Sequence, residues 1–303
     1  MHSIFEIRGI NNQIIKGNKW VIDEEIKPTV VIIHGMSEYS YRYNDFSEFL
    51  NQKGFDVFAL DHMKHGLNTD SPTEVMKWEK DGFFQSVENV KVLIDELKSQ
   101  GREVSIFAHS MGSFMGQMLI QKYPELVSKI VLCGTSTFTQ KGLFTKMFVK
   151  MYRIFSGKGY KEAKVINKLT FFSYNAKIKN PICKYDWLSV NKENVKKYNQ
   201  DPYCNQIPSS NFFSSLLLGL IYISNKKNFK LINKKIRILL VAGKLDPVGK
   251  YGKNVKKLHL KYINQRISCN YIIYDGMRHE ILNEENHQIV YDDIYKFLIS
   301  QSI

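Results

Sequence analysis

The chain has 303 residues, of which 44% are hydrophobic and 13% are aromatic, and its formal net charge is +14. This composition is rich enough in apolar residues to exclude a disordered chain. The longest apolar run, residues 212–223, is too short for a membrane span, and the first residues include charges where an export signal needs an apolar stretch. We therefore expect a soluble, cytoplasmic protein.

Strand and helix patterns alternate along the first part of the chain. Short apolar runs predict strands, and apolar residues at helical spacing predict the helices between them. The predicted strands cover residues 29–33, 55–60, 104–107 and 128–133, and the predicted helices cover residues 43–52, 82–98 and 111–123. Such alternation predicts an α/β fold with a mostly parallel central sheet flanked by helices.

The alternation stops after residue 135 and resumes at residue 236. Strands are predicted at residues 236–241 and 269–274, and helices at residues 254–263 and 284–299. We therefore expect a core domain made of residues 1–135 and 236–303. Residues 136–235 are then an inserted helical cap between two strands of one sheet.

All of the positive excess lies in this predicted cap, which has 19 Lys or Arg against 4 Asp or Glu, compared with 24 and 25 in the rest of the chain. Residues 141–155 have the pattern of a basic amphipathic helix, typical of a membrane surface or of a lid over an apolar tunnel. The run 212–223 is expected to line the same tunnel. Ordinary packing in a lysine-rich chain is the alternative. No nucleic-acid-binding module accompanies the charge, so we expect no nucleic-acid partner.

Neither a metal nor a cofactor is expected. The four cysteines are scattered, without C-x-x-C pairs, so each is expected to be free. His62 and His65 form an H-x-x-H pattern after a predicted strand. With no carboxylate helix nearby, we interpret them as structural loop residues and not as metal ligands.

The segment Ala108-His109-Ser110-Met111-Gly112 lies between a predicted strand and a predicted helix. A G-x-S-x-G turn in this context is a nucleophile elbow, which requires small residues on both sides of the serine. Ala108 replaces the first glycine with the smallest possible side chain. Ser110 is therefore the predicted nucleophile.

A serine nucleophile needs a base and an acid, which follow it along the chain in this type of fold. Asp246 and His279 each follow a predicted strand in that order. Asp275 is a rival for the acid, but it lies very near His279 in sequence. The predicted catalytic residues are therefore Ser110, Asp246 and His279.

Two backbone N–H groups are predicted to form an oxyanion hole. One belongs to Met111, after the nucleophile, and the other to Met36, in the loop after the strand at residues 29–33. Gly35 permits a close backbone approach there. Gly35 and His109 are the predicted substrate-binding residues.

The sequence resembles the monoacylglycerol lipase and lysophospholipase branch of the α/β-hydrolases, a group of serine aminopeptidase-type hydrolases. The resemblance implies the α/β-hydrolase fold with a cap over the active site that shapes the acyl pocket. The segments that carry it are residues 34–38, 41–43, 59–66, 108–112, 243–249 and 278–284, together with residues 180–181, 186–189 and 201–202 of the insertion.

The predicted function is hydrolysis of the carboxylic ester of a lysophospholipid or a monoacylglycerol through an acyl-enzyme intermediate, without a cofactor. A peripheral contact with anionic membranes through the basic cap is part of this interpretation. A short-chain carboxylesterase, thioesterase or peptidase is the enzymatic alternative, and a non-catalytic binding protein is the other. The sequence leaves the oligomeric state open.

Overall fold

The computed structural model describes residues 1–23, 25–138 and 159–300, and these residues build one sheet of eight strands in the order β1-β2-β4-β3-β5-β6-β7-β8. The six strands β4, β3, β5, β6, β7 and β8 pair with their neighbours in parallel. By contrast, β1 pairs with β2, and β2 pairs with β4, in antiparallel orientation. The strands are β1 (His2–Arg8), β2 (Ile14–Trp20), β3 (Thr29–Ile33), β4 (Asp56–Leu60), β5 (Val104–His109), β6 (Lys129–Cys133), β7 (Arg237–Gly243) and β8 (Ser268–Tyr274).

Helices cover both faces of the sheet. Apolar side chains of α2, α3 and α8 pack on one face, and those of α1 and α9 pack on the other. The helices are α1 (Asn44–Gln52), α2 (Gly82–Ser99), α3 (Met111–Lys122), α4 (Lys164–Phe171), α5 (Lys192–Gln200), α6 (Ser210–Ile223), α7 (Lys226–Phe229), α8 (Lys253–Ile263) and α9 (His287–Ile299). The predicted fold class, a mostly parallel sheet flanked by helices, is confirmed.

The first two strands were not predicted, and their position explains why. Every residue of β3, β4 and β5 is buried, as expected for parallel strands covered on both faces. By contrast, β1 and β2 form an outer antiparallel pair in which exposed and buried residues are mixed. Their apolar residues therefore form no continuous run that stands out in the sequence.

Residues between β6 and β7 form the insertion, of which α4, α5, α6 and α7 lie in the described part. The amphipathic helix predicted for residues 141–155 lies outside the described residues. Helix α6 faces two ways: Phe212 is fully buried in the core, whereas Phe213, Leu216 and Leu220 line a cavity. The prediction that the apolar run 212–223 lines a tunnel therefore holds for one face of α6. The boundaries of the cap as a separate domain stay a prediction.

The sequence predicted free cysteines and no membrane-spanning segment. The four cysteines are all free. Within the described ranges, no helix combines the length and the apolar character needed to cross a membrane.

The first turn of α3 lies directly against the end of β3. A Cβ atom added to Gly112 would lie 2.1 Å from the carbonyl oxygen of Ile33 and 2.5 Å from that of His34. Both distances are well below van der Waals contact, and both neighbours are backbone atoms of a buried strand end, which have little freedom to move. Only glycine therefore fits at this position.

We expect Gly112→Ala to lower the free energy of unfolding by about 2 kcal/mol or more, as overpacking against rigid backbone does. Gly116→Ala on the same helix is the matched control. Its Cβ would meet the end of the Ile130 side chain at 3.0 Å, and alanine favours the helix by about 1 kcal/mol over glycine. Urea unfolding of both variants checks the prediction, and equal stabilities would contradict it.

Candidate active site

Ser110 occupies a sharp turn between β5 and α3. Its backbone has φ 53° and ψ −119°, a conformation in the left-handed region of φ that non-glycine residues rarely adopt and that is typical of functional sites. The turn is held by a hydrogen bond from the N–H of Ser110 to the carbonyl of Cys133, at 2.9 Å. The predicted elbow is thus present as a strand–turn–helix unit, with Ala108 fully buried at the end of β5.

His279 and Asp246 meet Ser110 at the carboxyl ends of the parallel strands. Ser110 Oγ lies 2.8 Å from His279 Nε2, and His279 Nδ1 lies 3.0 Å from Asp246 Oδ2. The Nδ1–Oδ2 pair is at hydrogen-bond distance without ideal alignment, and neither atom has another partner among the described residues. The N–H of Val248 donates to Asp246 Oδ1 at 2.8 Å and orients the carboxylate. The three side chains predicted to be catalytic therefore form one chain of contacts.

Asp275, the rival for the acid, points away from this site. Its carboxylate lies 2.6 Å from the ammonium group of Lys244, and its side chain is 80% exposed. By contrast, the side chain of Asp246 is fully buried beside His279. The geometry therefore selects Asp246 as the partner of the imidazole.

Close packing on two sides fixes the ring of His279. A Cβ added to Gly134 would lie 2.8 Å from His279 Cε1, so the backbone of this glycine lies against the ring. On another side, the indole of Trp187 lies 5.1 Å from the imidazole, centroid to centroid. Trp187 belongs to the insertion, so the insertion contributes directly to the surroundings of His279.

The two predicted oxyanion donors lie on either side of Ser110. Neither the N–H of Met36 nor that of Met111 has a hydrogen-bond acceptor among the described residues, and both residues line the cavity that contains Ser110. A Cβ added to Gly35 would lie 3.1 Å from Ser110 Cβ, so this loop approaches the nucleophile as closely as predicted. Unpaired backbone N–H groups beside a nucleophile can stabilise, by hydrogen bonding, the negative charge that develops on a carbonyl oxygen.

His109 is buried and bound by protein groups. Its Nδ1 lies 3.0 Å from Glu38 Oε1, and its Nε2 lies 3.4 Å from the carbonyl of His279. Burial alone would lower the pKa of His109, but the hydrogen bond and the charge of Glu38 raise it. Both ring nitrogens of His109 thus contact the loops around Ser110. A substrate-binding role for His109 stays a prediction.

A buried charged cluster beside the site was not predicted from the sequence. Arg42 lies between the carboxylates of Glu38 and Glu280. Burial raises the pKa of both carboxyls, and their partners, chiefly His109 for Glu38 and Arg42 for Glu280, hold the pKa of each below its ordinary value. These residues lie within the segments that carry the family resemblance: Glu38 and Arg42 follow Gly35 within seven positions, and Glu280 directly follows His279. That proximity is the signal that points to them.

The H-x-x-H residues belong to a second buried cluster, formed by His34, His62 and His65. The N–H of His62 donates to His34 Nε2, and His62 Nε2 donates to the carbonyl of His34, both at 3.0 Å. Burial lowers the pKa of all three, to about 4 for His62 and about 3 for His65. No group of side chains in the described part of the chain is arranged to hold a metal ion. The cluster instead supports the loop that leads to Gly35.

A large cavity leads to Ser110 from the side of the insertion. It has a volume of about 1160 Å³ and contains Ser110, His279, Met36 and Met111 in its wall. Aromatic and aliphatic side chains from α3, α4 and α6 line much of the rest, and among the described residues four lysines contribute to its wall. The apolar set includes Phe114, Phe171, Phe172, Phe213, Leu216, Leu217 and Leu220, and the lysines are Lys168, Lys184, Lys250 and Lys257.

A parallel sheet with a serine at a strained strand–helix turn, followed by an aspartate and a histidine at later strand ends, defines a serine hydrolase of the α/β-hydrolase class. The family model described as "Serine aminopeptidase, S33" matches residues 24–286. The chain therefore belongs to this family.

Relatives of known name span the whole chain. It is 23% identical to a monoacylglycerol lipase of Mycolicibacterium smegmatis, over 99% of this chain and 96% of the relative. It is 25% identical to a monoglyceride lipase homolog of Monkeypox virus, over 91% and 90% of the two chains. A thermostable carboxyl esterase from Bacillus coagulans, solved in complex with glycerol, superimposes with a TM-score of 0.87 at 22% identity, covering 98% of this chain and 99% of the other. The predicted relationship to α/β-hydrolases of the monoacylglycerol lipase type is confirmed.

The histidine cluster predicts acid-sensitive folding. Because the pKa of His62 is lower in the folded protein than in the unfolded chain, its contribution to stability is complete above about pH 6.5 and is lost as the pH falls toward 4. Since one pKa unit corresponds to about 1.4 kcal/mol, the loss from His62 is on the order of 3 kcal/mol. Burial raises the pKa of Asp61 to about 6, which offsets part of this loss below that pH.

Denaturant unfolding between about pH 7 and 4 measures the effect, and His62→Gln should weaken the pH dependence of the free energy of unfolding. Parallel pH dependences for the variant and the wild type would contradict the prediction.

Proposed function

We propose that this serine ester hydrolase cleaves the carboxylic ester of a single-chain lipid, a lysophospholipid or a monoacylglycerol, through an acyl-enzyme intermediate. The observation that carries the proposal is the cavity of about 1160 Å³, which contains Ser110 and has a largely apolar lining. Its volume lies at the upper end of small-molecule sites and suits a long acyl chain. The relatives named monoacylglycerol lipase and monoglyceride lipase homolog support the same substrate class.

The mechanism follows from the contacts around Ser110. His279 Nε2, at 2.8 Å, accepts the proton of Ser110 Oγ as the oxygen attacks the ester carbonyl. Asp246 beside Nδ1 holds the imidazole in the required tautomer and stabilises the imidazolium. The N–H groups of Met36 and Met111 stabilise the oxyanion of the tetrahedral intermediate.

The intermediate collapses to an acyl-serine as His279 returns the proton to the leaving alcohol. His279 then takes a proton from water as the water attacks the acyl-serine, and it returns this proton to Ser110 Oγ as the fatty acid leaves. None of these steps uses a cofactor, and Gly35 and His109 are the residues proposed to contact the bound substrate.

Acyl-chain length separates this proposal from a short-chain esterase. On a series of p-nitrophenyl esters, kcat/KM should rise by at least about tenfold from two-carbon to ten-carbon acyl groups, which is the gain from burial of only about two of the additional CH₂ groups at about 0.8 kcal/mol each. Ser110→Ala should abolish turnover and labelling by a fluorophosphonate.

A preference for two-carbon esters would contradict the lipid substrate and favour the short-chain alternative. Cleavage of aminoacyl amides instead of esters would favour the peptidase that the family description names. Labelling of Ser110→Ala at the wild-type rate would contradict the role of Ser110 itself.

The proposal includes contact with an anionic membrane through the insertion. Val165, Leu169 and Phe172 recur at a spacing that places them on one side of α4 and its extension, and all three are exposed. Lys164 and Lys168 lie on the same helix. Leu169 and Phe172 also line the cavity, so this surface is continuous with the path to Ser110. Apolar side chains with flanking lysines are the combination that binds anionic interfaces.

Leu169→Asp should weaken binding to phosphatidylglycerol vesicles by on the order of tenfold, since the insertion of one leucine contributes about 1.5 kcal/mol or more. Leu260→Asp on α8 is the matched control, because Leu260 is 56% exposed and Leu169 is 58% exposed. Wild-type binding should also weaken as salt is added, because the attraction of lysines to anionic lipids is screened. Equal losses in the two variants, or binding that is insensitive to salt, would contradict the assignment.

A further inference from the structure

A network of buried charges joins the two loops that flank Ser110, and we propose that Arg42, at its centre, is a positioning residue for the reaction. The proposal deepens the proposed function, because it rests on Ser110 as the nucleophile and on Met36 as an oxyanion donor. It does not depend on which ester is the natural substrate.

Both terminal nitrogens of the Arg42 guanidinium donate hydrogen bonds to protein groups. Nη1 and Nη2 each donate to Glu280 at 2.9 Å, and Nη1 also donates to Glu38 at 3.0 Å. Nη2 contacts Asn194 Oδ1 at 3.4 Å, and the group lies over the ring of Tyr198, 5.0 Å from its centroid. A two-pronged pair of this kind fixes orientation as well as charge.

Glu38 transmits this orientation to the oxyanion loop. Its Oε1 accepts hydrogen bonds from the N–H of Gly35 at 2.6 Å and from the hydroxyl of Tyr43 at 2.9 Å. It also lies 3.0 Å from Nδ1 of His109 in the elbow. The peptide after Gly35 carries the N–H of Met36, so the position of Glu38 determines where that donor points.

Glu280 does the same for the loop that carries His279. It is the next residue in the chain, and its N–H donates to the carbonyl of Leu188 at 2.7 Å. Its Oε2 accepts from the side-chain amides of Asn194 at 2.7 Å and Asn283 at 3.1 Å. Asn194 lies on α5 of the insertion, so the insertion, the histidine loop and Arg42 meet at one carboxylate.

Arg42 acts through these neighbours and does not contact the substrate. Glu38, His109 and Glu280 line the cavity that contains Ser110, whereas Arg42 is not among the described residues of its wall. Without Arg42, Glu280 would lose its countercharge and Glu38 would keep only His109 as a charged partner, so the repulsion between the two buried carboxylates would displace one of the two loops. Displacements of about 1 Å around a reacting centre cost up to about a hundredfold in rate.

A second buried ion pair supplies the control. Arg102 pairs with Asp56 at the start of β4, at the end of the sheet opposite Ser110. The side chains of Arg42 and Arg102 are 12% and 11% exposed, so the loss of either one removes a comparable buried charge. Arg102→Gln therefore measures the cost of an unpaired carboxylate without any effect on the loops around Ser110.

The test compares Arg42→Gln, Arg42→Lys and Arg102→Gln by kcat, KM and Tm, with p-nitrophenyl butyrate as substrate. Arg42→Gln should lower kcat by about tenfold to a hundredfold with KM within about threefold of wild type. Arg42→Lys keeps the charge without the two-pronged contact and should fall between. Arg102→Gln should lower Tm and leave kcat unchanged.

Asn194→Ala extends the test to the insertion and serves if Arg42→Gln does not fold. It should lower kcat by a smaller factor, again at nearly constant KM. Because Asn194 and Arg42 hold the same carboxylate, the effects of Asn194→Ala and Arg42→Lys should combine non-additively.

Three results would overturn the proposal: unchanged kcat in both Arg42→Lys and Asn194→Ala, a rise in KM alone, or equal losses of kcat in Arg42→Gln and Arg102→Gln. Absence of ester turnover by the wild type would instead overturn the proposed function, and the role of Arg42 with it.

Discussion

The N-terminal turn of α3 rests on the carbonyl groups at the end of β3, with only the hydrogen of Gly112 between them. This contact places Ser110 above the sheet edge and, in the same step, places the loop that starts at His34 beside it. The ends of β7 and β8 lie farther along the same edge, because the strands are parallel. Asp246 and His279, in the loops that follow these two strands, therefore lie close to Ser110. The geometry of the site therefore depends on the close approach of Gly112 to the end of β3.

Much of this arrangement could be predicted from the sequence, because parallel strands covered on both faces are continuous apolar runs. Strands β1 and β2 could not be predicted in this way, because exposed and buried residues are mixed along each of these outer strands. Asp246 and Asp275 are similarly ambiguous in sequence, since each follows a strand that precedes His279. Their difference is one of three-dimensional placement: one is buried at the imidazole and the other is paired with Lys244 in solvent.

The cluster around Arg42 could not be predicted from the sequence. Charged residues in loops usually lie in solvent, and although Glu38 and Arg42 are close in sequence, 238 positions separate Arg42 from Glu280. Only the fold brings these loops together. Buried charges become tolerable there because each carboxylate accepts several hydrogen bonds in addition to its contact with Arg42. The electrostatics of the site are thus balanced internally, whereas the positive excess of the chain lies in the insertion.

Part of the insertion is attached to the core by several hydrogen bonds. Arg278 donates to the carbonyls of Asp186 and Ser189, while Glu284 accepts from the hydroxyl of Ser189 and the N–H of Val190. Residues 186–191 are therefore tied to the same loop that carries His279. In contrast, α4 contributes to the cavity wall with an exposed outer side. Substitutions on α4 would therefore change the wall of the cavity, whereas substitutions in residues 186–191 would act on the loop that carries His279.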